Sequence, residues 1–206
     1  MISPTSRRCV AKWAEGTPGV AKVSRKVVAF FGKAHPFSNF HPCRFVVAGE
    51  EYSCVEQFMM AEKARLFGDV ATLREIMRAS TPLAMKRLGR KVTPFDAARW
   101  DEVSKAVVLR ALLAKFVQDA ELGNALLATG DALLVEASPR DRLWGAGMGR
   151  AAVESAVAEG KPLRGRNRLG ELLMATRKAI AGEEGNGSPP SAAKGSERSG
   201  PTIEAE

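Results

Sequence analysis

The sequence predicts a mostly helical domain opened by a small β-sheet. Three observations carry that reading. Short β-branched and aromatic runs cluster near the start, helical periodicity dominates from residue 53 onward, and Asp69, Thr81 and Pro82 stand where N-caps and first helical turns belong.

Taken in order, residues 1–26 are basic and irregular, with Arg7, Arg8, Lys12, Lys22, Arg25 and Lys26 against Glu15 alone, and are expected to form a poorly ordered extension. VVAFF, then CRFVVAG and EEYS around a turn at Gly49, read as the strands of the opening sheet. Helices are expected over 53–67, 69–79 and 82–88, and over a long segment 95–127 that breaks near Asp119. ALLVEAS at 132–138 reads as another strand, followed by the irregular PRDRLWGAGMGR, a short helix at 151–158 and a last helix at 168–180. The segment 182–206 is rich in Gly, Ser, Pro and Glu and is expected to be a disordered tail. The folded part is therefore placed at 27–181. A chain of 206 residues with 45% hydrophobic content supplies one sizeable core.

Bulk properties narrow the function classes. A formal net charge of +8 and a pI near 9.7 suit a phosphate-bearing partner, either a nucleotide or a nucleic acid. The three cysteines, Cys9, Cys43 and Cys54, are odd in number and lack metal-ligand spacing, which argues against a disulfide framework or a zinc site. No metal and no cofactor are expected. No run approaches the roughly 18 apolar residues of a membrane span, and no apolar signal core opens the sequence, so a cytoplasmic protein without membrane contact is expected. GxxxxGK[ST] is absent and WGAGMG lacks Rossmann spacing, which sets aside ATP hydrolysis and nicotinamide redox chemistry.

The segment VEQFMMAEKARLFGD carries the most pointed chemical signal. At about 100° per residue, Val55, Met59, Met60, Leu66 and Phe67 form one stripe, and Glu56 and Lys63 fall among them. The two charges are separated by two turns, roughly 10 Å along the axis, with Met60 between them. Burying either without a partner costs several kcal/mol, so the pair suits a small ligand between them. The plain alternative is that one or both heads reach solvent or pair with other charges. FSNF places Ser38 and Asn39 in a loop, as turn residues or as ligand contacts. LVEASPRDRLWGAG combines Glu136 at a strand end with Asp141 and Trp144, which read as a binding rim or as core. GRNRLG brings Arg166, Asn167 and Arg168 to a helix start that either favours an anion or is merely capped by Asn167.

In their order, FFGKAHPFSNFHPCRF, VEQFMMAEKARLFGD, KRLGRKVTPFDAARW, AKFVQDAELGNALLATGDALLVEASPRDRLWGAG and GRNRLGELLMATR resemble the NADAR superfamily of YbiA-like proteins, over roughly 28–179. The resemblance implies an α+β, mostly α-helical single domain with a small β-sheet. It implies an N-glycosidase acting on phosphoribosylamino-pyrimidine intermediates of riboflavin biosynthesis and releasing ribose 5-phosphate. The alternatives it carries are removal of ADP-ribose from guanine bases, with nucleic acid as a partner, and a binding module for ADP-ribose or a nucleotide without turnover. Glu56 matches the family glutamate that would stabilise positive charge on the ribose or activate water. Lys63 matches its lysine, either a Schiff-base nucleophile or a cation that holds phosphate. Asp141 is the second acid candidate and Glu136 a weaker one. Trp100 and Trp144 would flank a base or ribose; Asn39 and Asn167 would hydrogen-bond the sugar or base. Gln57 stands where many relatives have histidine, GAGMG replaces the commoner GIGL, and the segment before GRNRLG differs from that of the short relatives. These departures bear on substrate choice more than on bond type.

Overall fold

A computed structural model describes residues 26–184. Of the two expected extensions, 1–25 and 185–206 lie outside the described residues. The elements run β1 (Val27–Phe30), β2 (Phe45–Val47), β3 (Glu50–Tyr52), α1 (Val55–Leu66), α2 (Val70–Arg78), α3 (Pro82–Gly89), α4 (Ala97–Gln118), α5 (Ala120–Leu127), β4 (Leu133–Glu136), α6 (Arg150–Ala158) and α7 (Arg168–Glu184). The last helix thus runs past residue 181 into what composition marks as tail.

Short polar side chains set the helix starts. Asp69 accepts from the Thr72 N–H at 3.0 Å, and Thr81 accepts from Ala84 at 3.3 Å ahead of Pro82. Asp96 accepts from Ala98 and Arg99, which opens α4 two residues beyond Phe95. Asp119 breaks the long segment as expected: its backbone is extended, and its carboxylate accepts from the Leu122 N–H at 3.0 Å to start α5. At α1 the cap is the Cys54 thiol, which accepts from the Gln57 N–H.

The strands grouped by sequence into one opening sheet are divided between two. β2 and β3 form an antiparallel hairpin, with Ala48 and Gly49 both at positive φ in the turn, the geometry that matches the twist of a two-residue hairpin. β1 instead pairs in parallel with β4, in the register Val27↔Leu133 to Phe30↔Glu136. Parallel pairing needs a crossover, and here helices α1–α5 supply it.

Helix α1 lies at the centre of the packing, against α2, α3, α4 and β3. Val55 to Ala61 are all buried, so the expected single apolar stripe is replaced by burial on every side. Phe30, Phe37, Phe45, Phe58, Phe116, Ile76, Leu112, Leu134 and Leu173 complete the main core around it, each large apolar side chain contributing roughly 1.5–3 kcal/mol on burial. Gly89 lets α3 close on α1: a Cβ there would stand 1.9 Å from the Met60 Sδ and 2.7 Å from its Cγ. A smaller cluster around Val135, Ala146, Met148 and Val153 packs beneath α6.

Candidate active site

The first turn of α1, helix α3, the start of α4, the end of β4 and the loops that follow β1 and β4 surround a cleft of about 950 Å³. Seven of the eight residues expected at a site line it: Asn39, Glu56, Lys63, Trp100, Glu136, Asp141 and Trp144. Asn167 does not. Its Nδ2 donates to the Leu134 carbonyl at 2.9 Å and its Oδ1 accepts from the Glu136 N–H at 3.0 Å. The expectation that Asn167 bonds a sugar or base is corrected on that ground, because both of its polar groups are committed to β4.

Glu56 is only 5% exposed, and its carboxyl makes no hydrogen bond or ion pair with any described residue. Burial pushes it up to about 7; Lys86 and Arg90 pull the other way, and Asp141 adds to the rise. Its N–H donates to the Asn39 carbonyl at 3.0 Å, which ties the FSNF loop to the start of α1. The same loop is held from below by Lys115, a fully buried lysine on α4 whose ammonium donates to the Pro36 carbonyl at 2.5 Å and the Ser38 carbonyl at 3.3 Å. Desolvation lowers Lys115 to about 8. Ser38 plays the expected turn role, accepting from the Phe40 N–H at 3.1 Å. Asn39 keeps its Oδ1 buried without a partner among the described residues, an acceptor ready for a ligand donor.

Lys63 is half-buried. Its Nζ donates to the Gly89 carbonyl at 2.7 Å and lies 3.9 Å from the centroid of the Phe95 ring. Burial lowers its pKa. Gln57, which departs from the family pattern, faces away from the cleft: its Oε1 accepts from Ser53 and its Nε2 donates to the Ile76 and Met77 carbonyls. It joins the start of α1 to the end of α2, so the expected link to substrate choice does not hold at this position.

The two remaining acids exchange weight. One oxygen of Asp141, Oδ1, accepts from the N–H groups of Leu143, Trp144 and Gly145 at 3.0, 2.8 and 3.4 Å. It shapes the turn that carries Trp144. Glu136 is 8% exposed, and burial pushes it up to about 7, with Asp141 adding to the rise and Lys86 opposing it.

Sequence reasoning missed the cations of the cleft wall. Lys86, Arg87, Arg90, Arg140 and Arg142 join Lys63 there, six cations against the three carboxylates. The runs KRLGRK and PRDR and the excess positive charge were the available signal. Such a wall attracts phosphate. Among the described residues no group of three or more His, Cys, Asp or Glu could hold a metal, and no helix is long and apolar enough to cross a membrane.

Comparison with known proteins gives this arrangement its family. The NADAR domain model matches residues 29–181. The chain is 38% identical over 148 residues to N-glycosidase R617 of Acanthamoeba polyphaga mimivirus, covering 69% of this chain and 86% of that protein. It is equally 38% identical over 148 residues to N-glycosidase YbiA of Escherichia coli K12, covering 72% of this chain and 82% of YbiA. The NMR structure of E. coli YbiA superposes with a TM-score of 0.67 at 32% identity, covering 81% of this chain and 92% of that one. The chain therefore belongs to the NADAR family, with a YbiA-like fold, and stands among enzymes that include the N-glycosidases YbiA and R617.

Proposed function

We propose that the protein is an N-glycosidase that hydrolyses the C1′–N bond of a phosphorylated ribosyl substrate, with a phosphoribosylamino-pyrimidine as the leading substrate and ribose 5-phosphate as the sugar product. The observation that carries this is Glu56: a buried, unpartnered carboxyl near neutrality, set in a cleft whose walls attract phosphate. As the bond breaks, positive charge develops at C1′, and the Glu56 carboxylate stabilises it and takes a proton from the attacking water. Trp100 and Trp144 offer flat surfaces for a base, Asn39 Oδ1 accepts from a sugar hydroxyl or base amine, and Lys86 and Arg90 face the phosphate. Lys63 reaches the same cleft, either as a further cation or as an amine that attacks C1′ of the opened sugar.

A second substrate, ADP-ribose on a guanine base, is favoured by size. The cleft lies near the top of the roughly 300–1,000 Å³ range of small-molecule pockets, and its mouth adds the exposed Phe31 and Leu83 to the six cations. Nucleic acid enters as a partner through that substrate. Incubation of the purified chain with each glycoside, following ribose 5-phosphate or ADP-ribose by mass, tests both. Release of free base from either supports N-glycosidase activity and identifies the sugar. Tight binding of both without release returns the protein to a binding module and overturns the proposal.

A further inference from the structure

Asn167 stands outside the cleft, yet it touches the residue whose carboxyl the scheme above leaves idle. β4 pairs only along its β1 edge among the described residues. On the other edge the Leu134 carbonyl and the Glu136 N–H have no strand to meet, and the Asn167 side-chain amide supplies a donor to the first and an acceptor to the second. It stands in for the peptide of a third strand. The substitution is built deliberately into the chain: Asn167 takes φ +49°, and a Cβ on Gly170 would stand 2.1 Å from the Leu134 oxygen and 2.3 Å from the Asn167 Nδ2. The Glu136 carbonyl is fixed as well, accepting from the Ser138 and Ala146 N–H groups at 2.9 and 2.8 Å. What is held so firmly is a carboxyl in the cleft wall that makes no hydrogen bond or ion pair with any described residue, whereas Asp141 spends an oxygen on its own turn.

We propose that Glu136 is the proton donor to the leaving nitrogen and that Asn167 is the positioning residue that aims it. This rests on the N-glycosidase reading above. The C1′–N bond breaks with its electron pair on nitrogen, the Glu136 proton passes to that nitrogen, and water forms the C1′–O bond while losing a proton to Glu56. The product is a free amine and a sugar hydroxyl, and the two carboxyls exchange protonation through solvent. Burial raises Glu136 to about 7, with Asp141 adding to the rise and Lys86 opposing it, so its protonated form is available up to that pH. Lys63, Arg140, Arg142 and Glu56 face the same space.

The test has two arms on the full chain. In the first, kcat/KM is followed against pH with phosphoribosylamino-pyrimidine and with ADP-ribosyl-guanosine. Glu136→Gln is expected to lower it about 100-fold and to remove the fall in rate above pH 7; a variant that keeps the wild-type rate and that alkaline limb overturns the proton-donor role. In the second, which needs no turnover, carbon NMR of δ-labelled glutamates follows Glu136, assigned with Glu136→Gln. The resonance is expected to titrate near 7 and to move by about half a pH unit or more in Asn167→Ala. Asn167→Asp, which keeps the acceptor for Glu136 and adds negative charge beside it, is expected to move it upward and serves where the alanine variant does not fold. A Glu136 titrating below 5, or unmoved by both variants, overturns the positioning role. If the wild type releases base from neither glycoside while this titration behaves as expected, the N-glycosidase reading has failed and the proton-donor role fails with it, but the Asn167 contact does not.

Discussion

Replacing Glu56 by glutamine should make the protein more stable at alkaline pH and inactive at every pH. The carboxyl is raised from its usual 4.5 to about 7, chiefly by burial. Because the folded-state value lies above the unfolded one, the fold carries no penalty from this group below pH 4.5, loses stability as pH rises from there to 7, and bears the whole cost above 7. At 1.36 kcal/mol per pH unit, that cost is about 3 kcal/mol. Glu56→Gln removes the charge and hence the penalty. For a chain of this size about 3 kcal/mol corresponds to roughly 6–12 °C in Tm. Urea unfolding of wild type and variant at pH 4 and pH 8 checks it: little difference is expected at pH 4 and a gain near 3 kcal/mol for the variant at pH 8. A Glu56→Gln protein that is no more stable at pH 8, or that gains equally at both pH values, would show that Glu56 is not a buried acid titrating near neutrality, and would overturn that assignment.

Four further outcomes are expected. Lys63→Met should lower turnover by at least about 100-fold with Tm little changed, and borohydride added during wild-type turnover then assigns the role, a covalent sugar adduct marking amine attack and its absence marking a cation. Lys115→Met strands the part-buried Pro36 carbonyl and the buried Ser38 carbonyl; a loss of about 2 kcal/mol or more in urea unfolding is expected, together with a lower kcat/KM, since the loop it releases holds Asn39 and the Glu56 N–H. Gly89→Ala drives a methyl into Met60 and should cost about 1–3 kcal/mol, partly recovered by Met60→Ala in the same chain. Arg90→Ala should raise KM for a phosphorylated glycoside several-fold, with a salt dependence weaker than that of the wild type.

Much of this fold is legible because its elements announce themselves locally. Asp69, Thr81 and Asp119 each bond an N–H group three residues ahead, and such signals survive in a bare sequence. Pairing of β1 with β4 does not, because about a hundred residues separate Val27 from Leu133 and nothing in either strand names its partner. The candidate site divides along the same line. Glu56 and Lys63 stood out as charges in an apolar pattern, and the structure places both on the cleft. Gln57, Lys115 and Asn167 look like ordinary polar residues in the sequence; each also bonds backbone groups 19 to 79 positions away, which the sequence does not show. Asn167 reads as a ligand contact in the sequence for that reason. The relative standing of Asp141 and Glu136 likewise depended on which carboxyl the surrounding N–H groups occupy.

In the proposed reaction a neutral-range carboxyl on the first turn of α1 drives water onto a ribose anomeric carbon. Single-turnover reactions of wild type and Glu56→Gln in ¹⁸O-labelled water, with the released sugar weighed by mass spectrometry, test it most directly. One labelled oxygen is expected in sugar freed by the wild type, and no sugar freed by the variant on the same time scale. Equal release by both proteins would contradict it.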